Sequence, residues 1–186
     1  MKSTLNTILF AALIAVPIAS SAWAEAPVAA EVSPPGDIPD NQAFVMFTSP
    51  TGYAVKIPEG WSRKDDGTKT TFSDKYNHVA LQLTDVPHAI DEAYAKASLV
   101  PDIQTSGRAV DGLSVKTLKL KSGPVIAIEY ASNSEPNAVT NKQVREENER
   151  IYFVKDKQMM MMTLSAPVGA DNVDQWLFMA NSFRWK

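Results

Sequence analysis

Cysteine is absent from this 186-residue chain. That excludes disulfides, thiol redox chemistry and cysteine-based zinc sites, so the fold has to hold by packing alone. Histidine is nearly absent, with only His78 and His88. His78 is expected to open a strand and His88 to precede a helix, which reads as two loop-edge residues rather than a catalytic or metal pair. No glycine-rich phosphate loop and no Gly-x-Ser-x-Gly nucleophile context occurs, so nucleotide and serine-hydrolase chemistry lack a motif. A basic excess is missing as well: 18 Lys and Arg face 21 Asp and Glu. Nucleic acid and anionic membrane surfaces need a clustered basic face, and the composition speaks against both as partners.

What is present starts with an export signal. Lys2 is followed by an apolar run from Ile8 to Val16, then Pro17, then Ala19-Ser20-Ser21-Ala22-Trp23-Ala24. A short positive region, an apolar stretch of this length and an Ala-x-Ala site mark a secretory signal peptide over residues 1–24, cleaved after Ala24. A membrane anchor needs about 20 uninterrupted apolar residues, and Pro17 with the serine pair cuts this run short. The exported chain starts at Glu25 and has 162 residues, enough for one domain with a real core. It is expected in the periplasm or outside the cell, with no stable membrane insertion. Residues 25–41 carry four prolines and no apolar period, which predicts a disordered leader. A single domain is expected over 42–186.

The rest alternates with the period of a sheet. Phe44 to Thr48, Tyr53 to Ile57, Lys69 to Phe72, Val79 to Thr84, Leu118 to Lys121, Val125 to Tyr130, Ile151 to Val154 and Met159 to Leu164 read as strands. Turns are expected at Ser49-Pro50-Thr51-Gly52, Asp65-Asp66-Gly67, Ser122-Gly123-Pro124 and Lys155-Asp156-Lys157-Gln158. Pro58 cannot donate to a ladder and should end its strand or lie at an edge. Short links between strands imply a largely antiparallel sheet. Two stretches have a helical period instead. Ile90, Ala93, Tyr94 and Ala97 share one face, and so do Val173, Trp176, Leu177 and Ala180. Asp171 or Asn172 is placed to cap the second helix, with Arg184 and Lys186 at its end.

Three side-chain groups have chemistry to consider. Asp65-Asp66 and Glu146-Glu147 are paired carboxylates, but neighbours on a strand point to opposite faces, so neither pair converges unless a turn folds it together. The run Arg145-Glu146-Glu147-Asn148-Glu149-Arg150 mixes signs and reads as the solvated start of a strand. Met159-Met160-Met161-Met162 offers thioethers, which bind Cu(I). On a strand, Met159 and Met161 face one side while Met160 and Met162 face the other. Two thioethers per face fall short of a ligand set, and a central strand with both faces covered is apolar on both. The run is read as core. No catalytic or metal-ligating residue is assigned, no cofactor is expected, and any ligand-binding residues are left open.

Gly52-Tyr53 leading to Ile57-Pro58-Glu59-Gly60-Trp61, then Thr71-Phe72-Ser73-Asp74 and the strand Val79 to Thr84, resembles the start of a PsbP-type domain. Gly123-Pro124-Val125-Ile126-Ala127-Ile128-Glu129-Tyr130 is similar to that family's central strand. The close, Thr163-Leu164-Ser165-Ala166-Pro167 followed by a helix ending Ser182-Phe183-Arg184, also resembles it. The likeness spans about Ala43 to Trp185. It implies an α+β fold, a largely antiparallel sheet flanked by helices as an α/β/α sandwich. It also implies non-enzymatic work: docking on a larger assembly or assisting its construction. No residue of the photosystem-docking members' contact surface has a recognisable counterpart here.

Three functions are therefore weighed. The leading expectation is a non-catalytic envelope binding or assembly-accessory domain, with a protein or complex as partner, docking through a polar loop such as Ser132 to Gln143. The alternative is a carrier of a small apolar or lipid-like ligand between sheet and helix. Copper handling by the methionine run comes third.

Overall fold

The structure is a computed structural model and describes residues 25–186 other than Pro34 and Pro87. The expected signal peptide lies outside the described residues.

Among the described residues, ten strands and three helices follow in chain order. Strands β1 (Phe44–Ser49) and β2 (Tyr53–Pro58) form a hairpin. Its turn closes with the Gly52 N–H on the Ser49 carbonyl at 3.3 Å, and Gly52 takes φ 97°, a left-handed value that glycine adopts without a Cβ penalty. Then come β3 (Ser62–Asp66), β4 (Lys69–Ser73) and β5 (His78–Asp85). Helices α1 (Glu92–Tyr94) and α2 (Val100–Ser106) are joined by a π-wound stretch, Ala95–Leu99. Strands β6 (Asp111–Leu120), β7 (Gly123–Asn133), β8 (Arg145–Lys155) and β9 (Gln158–Pro167) are long. Helix α3 (Val173–Ser182) and β10 (Arg184–Trp185) end the chain.

Seven strands make the main sheet in the order β3-β4-β5-β9-β8-β7-β6, and each pairing is antiparallel. On one face lie α3 and the small sheet β1-β2-β10. Tyr53, Val55 and Ile57 meet Met160, Met162, Leu164 and Phe153 there, with Trp176, Met179 and Ala180 of α3. Phe183 stacks on Phe153 at 4.1 Å and on Tyr53 at 6.1 Å, as offset aromatic pairs do. On the other face the 92–106 helical stretch brings Ala95 and Ile103 onto Ile126, Ile128, Tyr130 and Tyr152. The fold is thus α+β, a sheet with helices on both sides.

Met159 and Met161 lie on the α2 face and Met160 and Met162 on the α3 face, as a period of two requires. β9 sits between β5 and β8, so both its faces are covered.

Five expectations need correction. Asp65 and Asp66 end β3, and the turn falls at Gly67–Thr68. The first helix turns its Ala95 and Ile103 inward while Ala93 and Ala97 are exposed. It also runs on to Ser106 past Pro101, which is tolerated because it sits in the first turn of α2. Helix α3 buries Trp176, Met179 and Ala180, leaving Val173 71% and Leu177 42% exposed. Arg184 is not at the helix end: Phe183 turns extended (ψ 136°), and Arg184 pairs with Ala54 on β2. Finally, residues 25–41 have no regular secondary structure but are seated on the domain. Ile38 is 4% exposed within the core, its N–H donates to Asn172 Oδ1 at 2.6 Å, and Asn172 Nδ2 donates to the Gly36 carbonyl at 2.9 Å. Asn172 stands at the N-cap of α3, yet its side chain holds the leader instead of capping. Prolines bar a ladder, but they do not prevent an apolar side chain from docking.

Candidate functional site

The informative chemistry is at the start of β8. Its first six residues are all polar, and they were expected to be solvated. Half of them are not: Arg145 is 5% exposed, Asn148 6%, and Glu149 is also buried, while Glu146, Glu147 and Arg150 are half-buried. The reason is position, because β8 runs between β7 and β9. A polar side chain there must find partners or pay its desolvation. Alternation then divides the run between two sites.

Glu146, Asn148 and Arg150 face the α2 side. Asn148 Nδ2 donates to Ser132 Oγ at 2.9 Å and its Oδ1 accepts from Ser165 Oγ at 2.6 Å, tying β7, β8 and β9 together. Arg150 Nη2 donates to the Tyr130 hydroxyl at 3.2 Å, with the guanidinium 5.6 Å from that ring's centroid. Tyr152 is pushed up to about 12, chiefly by burial. Glu146 has burial, and secondarily the charge of Glu135, raising its carboxyl to about 7.

Beyond Glu146 stands the 134–144 loop, a prebuilt projection. The Ser134 and Asn137 N–H groups donate to the Val144 and Lys142 carbonyls at 2.8 and 2.9 Å, so the two arms zip together. Asn137 Oδ1 accepts from the Val139 and Thr140 N–H groups at 3.0 and 2.9 Å, an Asx turn that shapes the tip. Val139 at that tip is 92% exposed. The base is held by the leader: Glu25 accepts from Asn133 Nδ2 at 2.9 Å and Gln143 Nε2 at 2.6 Å, and pairs with Arg108 at 2.8 Å. Those hydrogen bonds, ahead of the Arg108 charge, hold the Glu25 carboxyl below its ordinary range. A cavity of about 550 Å³ lies beside the loop, lined by Tyr76, His78, Lys142 and Glu146.

Arg145, Glu147 and Glu149 face the α3 side. Arg145 is anchored by Asp111 at 2.6 Å, the Ala109 carbonyl at 2.7 Å and Asn133 Oδ1 at 3.0 Å. Glu149 lies directly opposite Glu129 on β7. Two facing carboxylates repel, and Lys116 of β6 bridges them, bonding Glu129 closely and Glu149 at 3.0 Å. Burial works against the Lys116 charge, but hydrogen bonds to the two glutamates outweigh it and raise its pKa. Burial raises Glu149, with Lys116 pulling the other way. Between this face and α3 opens a groove of about 420 Å³, walled by Leu118, Ile151, Val173, Trp176 and Leu177 and edged by Lys116, Glu129, Glu147 and Glu149.

Of the residues singled out from sequence, Glu146 and Glu147 diverge as alternation requires, one to the loop cavity and one to the groove. Asp65 accepts from Thr70 Oγ1 at 2.9 Å and pairs with Arg63 at 3.1 Å on an exposed edge hairpin. His78 reaches the loop cavity, while His88 packs edge-on against Tyr94, ring centroids 4.5 Å apart, so the two histidines serve different elements. Sequence reasoning missed Lys116 and Glu129, whose alternation with apolar neighbours on β6 and β7 was the available signal.

No protein-family model matches the chain, and no curated protein matches it in sequence. Solved structures do match. Cyanobacterial PsbP (CyanoP) from Synechocystis sp. PCC 6803 superposes over 81% of this chain and 98% of its own, with TM-score 0.54 and 16% identity. The fold is PsbP-like. A mutant of the protein Mog1 shares it, over 78% of this chain and 96% of its own, at TM-score 0.52 and 11% identity. So does the Saccharomyces cerevisiae Ran-binding protein Mog1p, over 77% and 96%, at TM-score 0.50 and 10% identity. At such identities the PsbP-like likeness carries architecture, and function has to come from the sites.

Proposed function

We propose that this protein is a non-catalytic, exported binding and assembly-accessory domain that docks on a protein or complex of the cell envelope. One observation carries this reading: the 134–144 loop is hydrogen-bonded into a single shape before any partner arrives, with Val139 bare at its tip. A preordered loop with an apolar tip loses little entropy on docking. A protein-binding role on a PsbP-like fold has a parallel in the yeast neighbour, which is named as Ran-binding. Export rests on the N-terminal signal pattern and the Ala22-x-Ala24 site. Among the described residues no helix is long and apolar enough to cross a membrane.

The test is crosslinking and native co-purification from the envelope fraction, with wild type beside Val139→Asp. A discrete partner retained by wild type and lost by the variant is expected. Recovery of no discrete partner sinks the docking role, and equal recovery by both proteins moves it away from the loop.

A second reading, a carrier of a small apolar or amphipathic ligand, is favoured by the groove beneath α3. Its volume of about 420 Å³ lies within the ~300–1,000 Å³ typical of small-molecule sites.

A further inference from the structure

The carrier reading leaves the ligand's chemistry open, and the charges of the groove narrow it. Its body is apolar: Leu118 and Ile151 on the sheet side, Trp176 and Leu177 on α3. Its edge has three carboxylates and one ammonium. Lys116 is already shared between Glu129 and Glu149. Arg145, two residues before Glu147 on the same face, is tied to Asp111. Among the described residues Glu147 therefore has no ion pair, although burial works against its charge and only a Gly169 backbone N–H offsets it. Its neighbours across the ladder, Ala131 and Ala166, are small, and Ala131 opens directly onto the groove. A half-desolvated carboxylate with room in front of it and no cation paired to it is complementary to a cationic head.

We propose that the groove between α3 and strands β6–β8 binds small amphipathic amines, the aliphatic or aromatic body lying on Leu118, Ile151, Trp176 and Leu177 and the ammonium donating to Glu147. This rests on the carrier reading. The unshared carboxylate excludes the opposite head: a fatty-acid carboxylate placed there meets Glu147, Glu129 and Glu149 with only one, already committed, lysine. Neutral heads of the same size enter without the charge-assisted bond.

Calorimetric titration with octylammonium, 1-octanol and octanoate separates these cases, since the three share a chain and differ in head. Octylammonium is expected to bind at least tenfold more tightly than octanol, and octanoate more weakly than either. In Glu147→Gln the amine's advantage over octanol should fall to about twofold or less while octanol binding is kept, which also shows that the groove remains folded. Equal binding of amine and alcohol overturns the head-group assignment and leaves the carrier reading standing. Octanoate as the tightest ligand overturns the assignment in favour of Lys116. No binding of any of the three at millimolar concentration overturns both.

Discussion

Strand β8 has two ends of opposite character. From Ile151 to Phe153 it meets Met160 and Met162 across the ladder and disappears into aliphatic and aromatic packing. From Arg145 to Arg150, equally flanked by β7 and β9, it buries a guanidinium, an amide and a carboxylate. The apolar end is complete in itself: non-directional burial stabilises it and leaves nothing to be recognised. At the polar end every group needs a partner at a set angle, and the partners come from three other strands, among them Lys116 and Asp111 on β6, Ser132 and Asn133 on β7 and Ser165 on β9. A network of that kind specifies one arrangement more sharply than it stabilises it. It ends at the two candidate sites, the loop and the groove. The apolar end is thus read as the part that carries stability, and the polar end as the part that shapes the loop and the groove.

The sharpest way to break that division is to open the apolar end. Met162→Ala, at a fully buried position, is expected to cost about 2–5 kcal/mol in denaturant unfolding. A loss under about 1 kcal/mol would mean that the apolar end is not where the stability resides. Next is Glu146, which binds its proton more tightly folded than unfolded. Its contribution favours folding fully below about pH 4.5 and is lost as the pH rises to about 7. At about 1.4 kcal/mol per pKa unit, and allowing for partial solvent screening, Glu146→Gln should stabilise the protein by about 2 kcal/mol at pH 8 and scarcely at all at pH 4. Equal effects at both pH values in urea titrations would disprove the assignment.

Smaller still is Asn148→Ala, which strands the Ser132 and Ser165 hydroxyls and should cost about 1–2 kcal/mol. A cost rivalling that of Met162→Ala would erase the contrast between the two ends. Last, Val139→Asp should change stability by less than about 0.5 kcal/mol, because the residue touches solvent on nearly every side. A larger loss would show that the loop tip belongs to the fold rather than to a docking surface.

Much of this architecture was legible locally. Alternation along the methionine run assigned strand faces correctly, because side-chain direction in a strand depends only on parity. At Tyr53–Pro58 it placed Tyr53, Val55 and Ile57 in the core but missed that Ala54 on the other face is equally buried. The stripe on α3 was read less well: Val173 and Leu177 are as apolar as Trp176, and only the position of the sheet decides that the helix turns Met179 inward and leaves those two over a groove. The run Arg145 to Arg150 was read as solvated for the same reason. Its composition is that of a surface, and its burial follows from which strands flank it.

By its own pattern, then, the chain determined the antiparallel hairpins, the two helical stretches and the absence of cysteine chemistry, since period, turn residues and composition act over a few neighbouring positions. Tertiary structure decided the rest. Lys116 joined Glu129 and Glu149 across three strands and Glu25 reached Asn133 and Gln143 at the base of the loop, while Glu147, on the same groove as Lys116, was left without an ion pair among the described residues. Each of these pairings spans from over ten to more than a hundred residues of chain. They exist only because strand order brings distant side chains within a few ångströms, which no local period encodes.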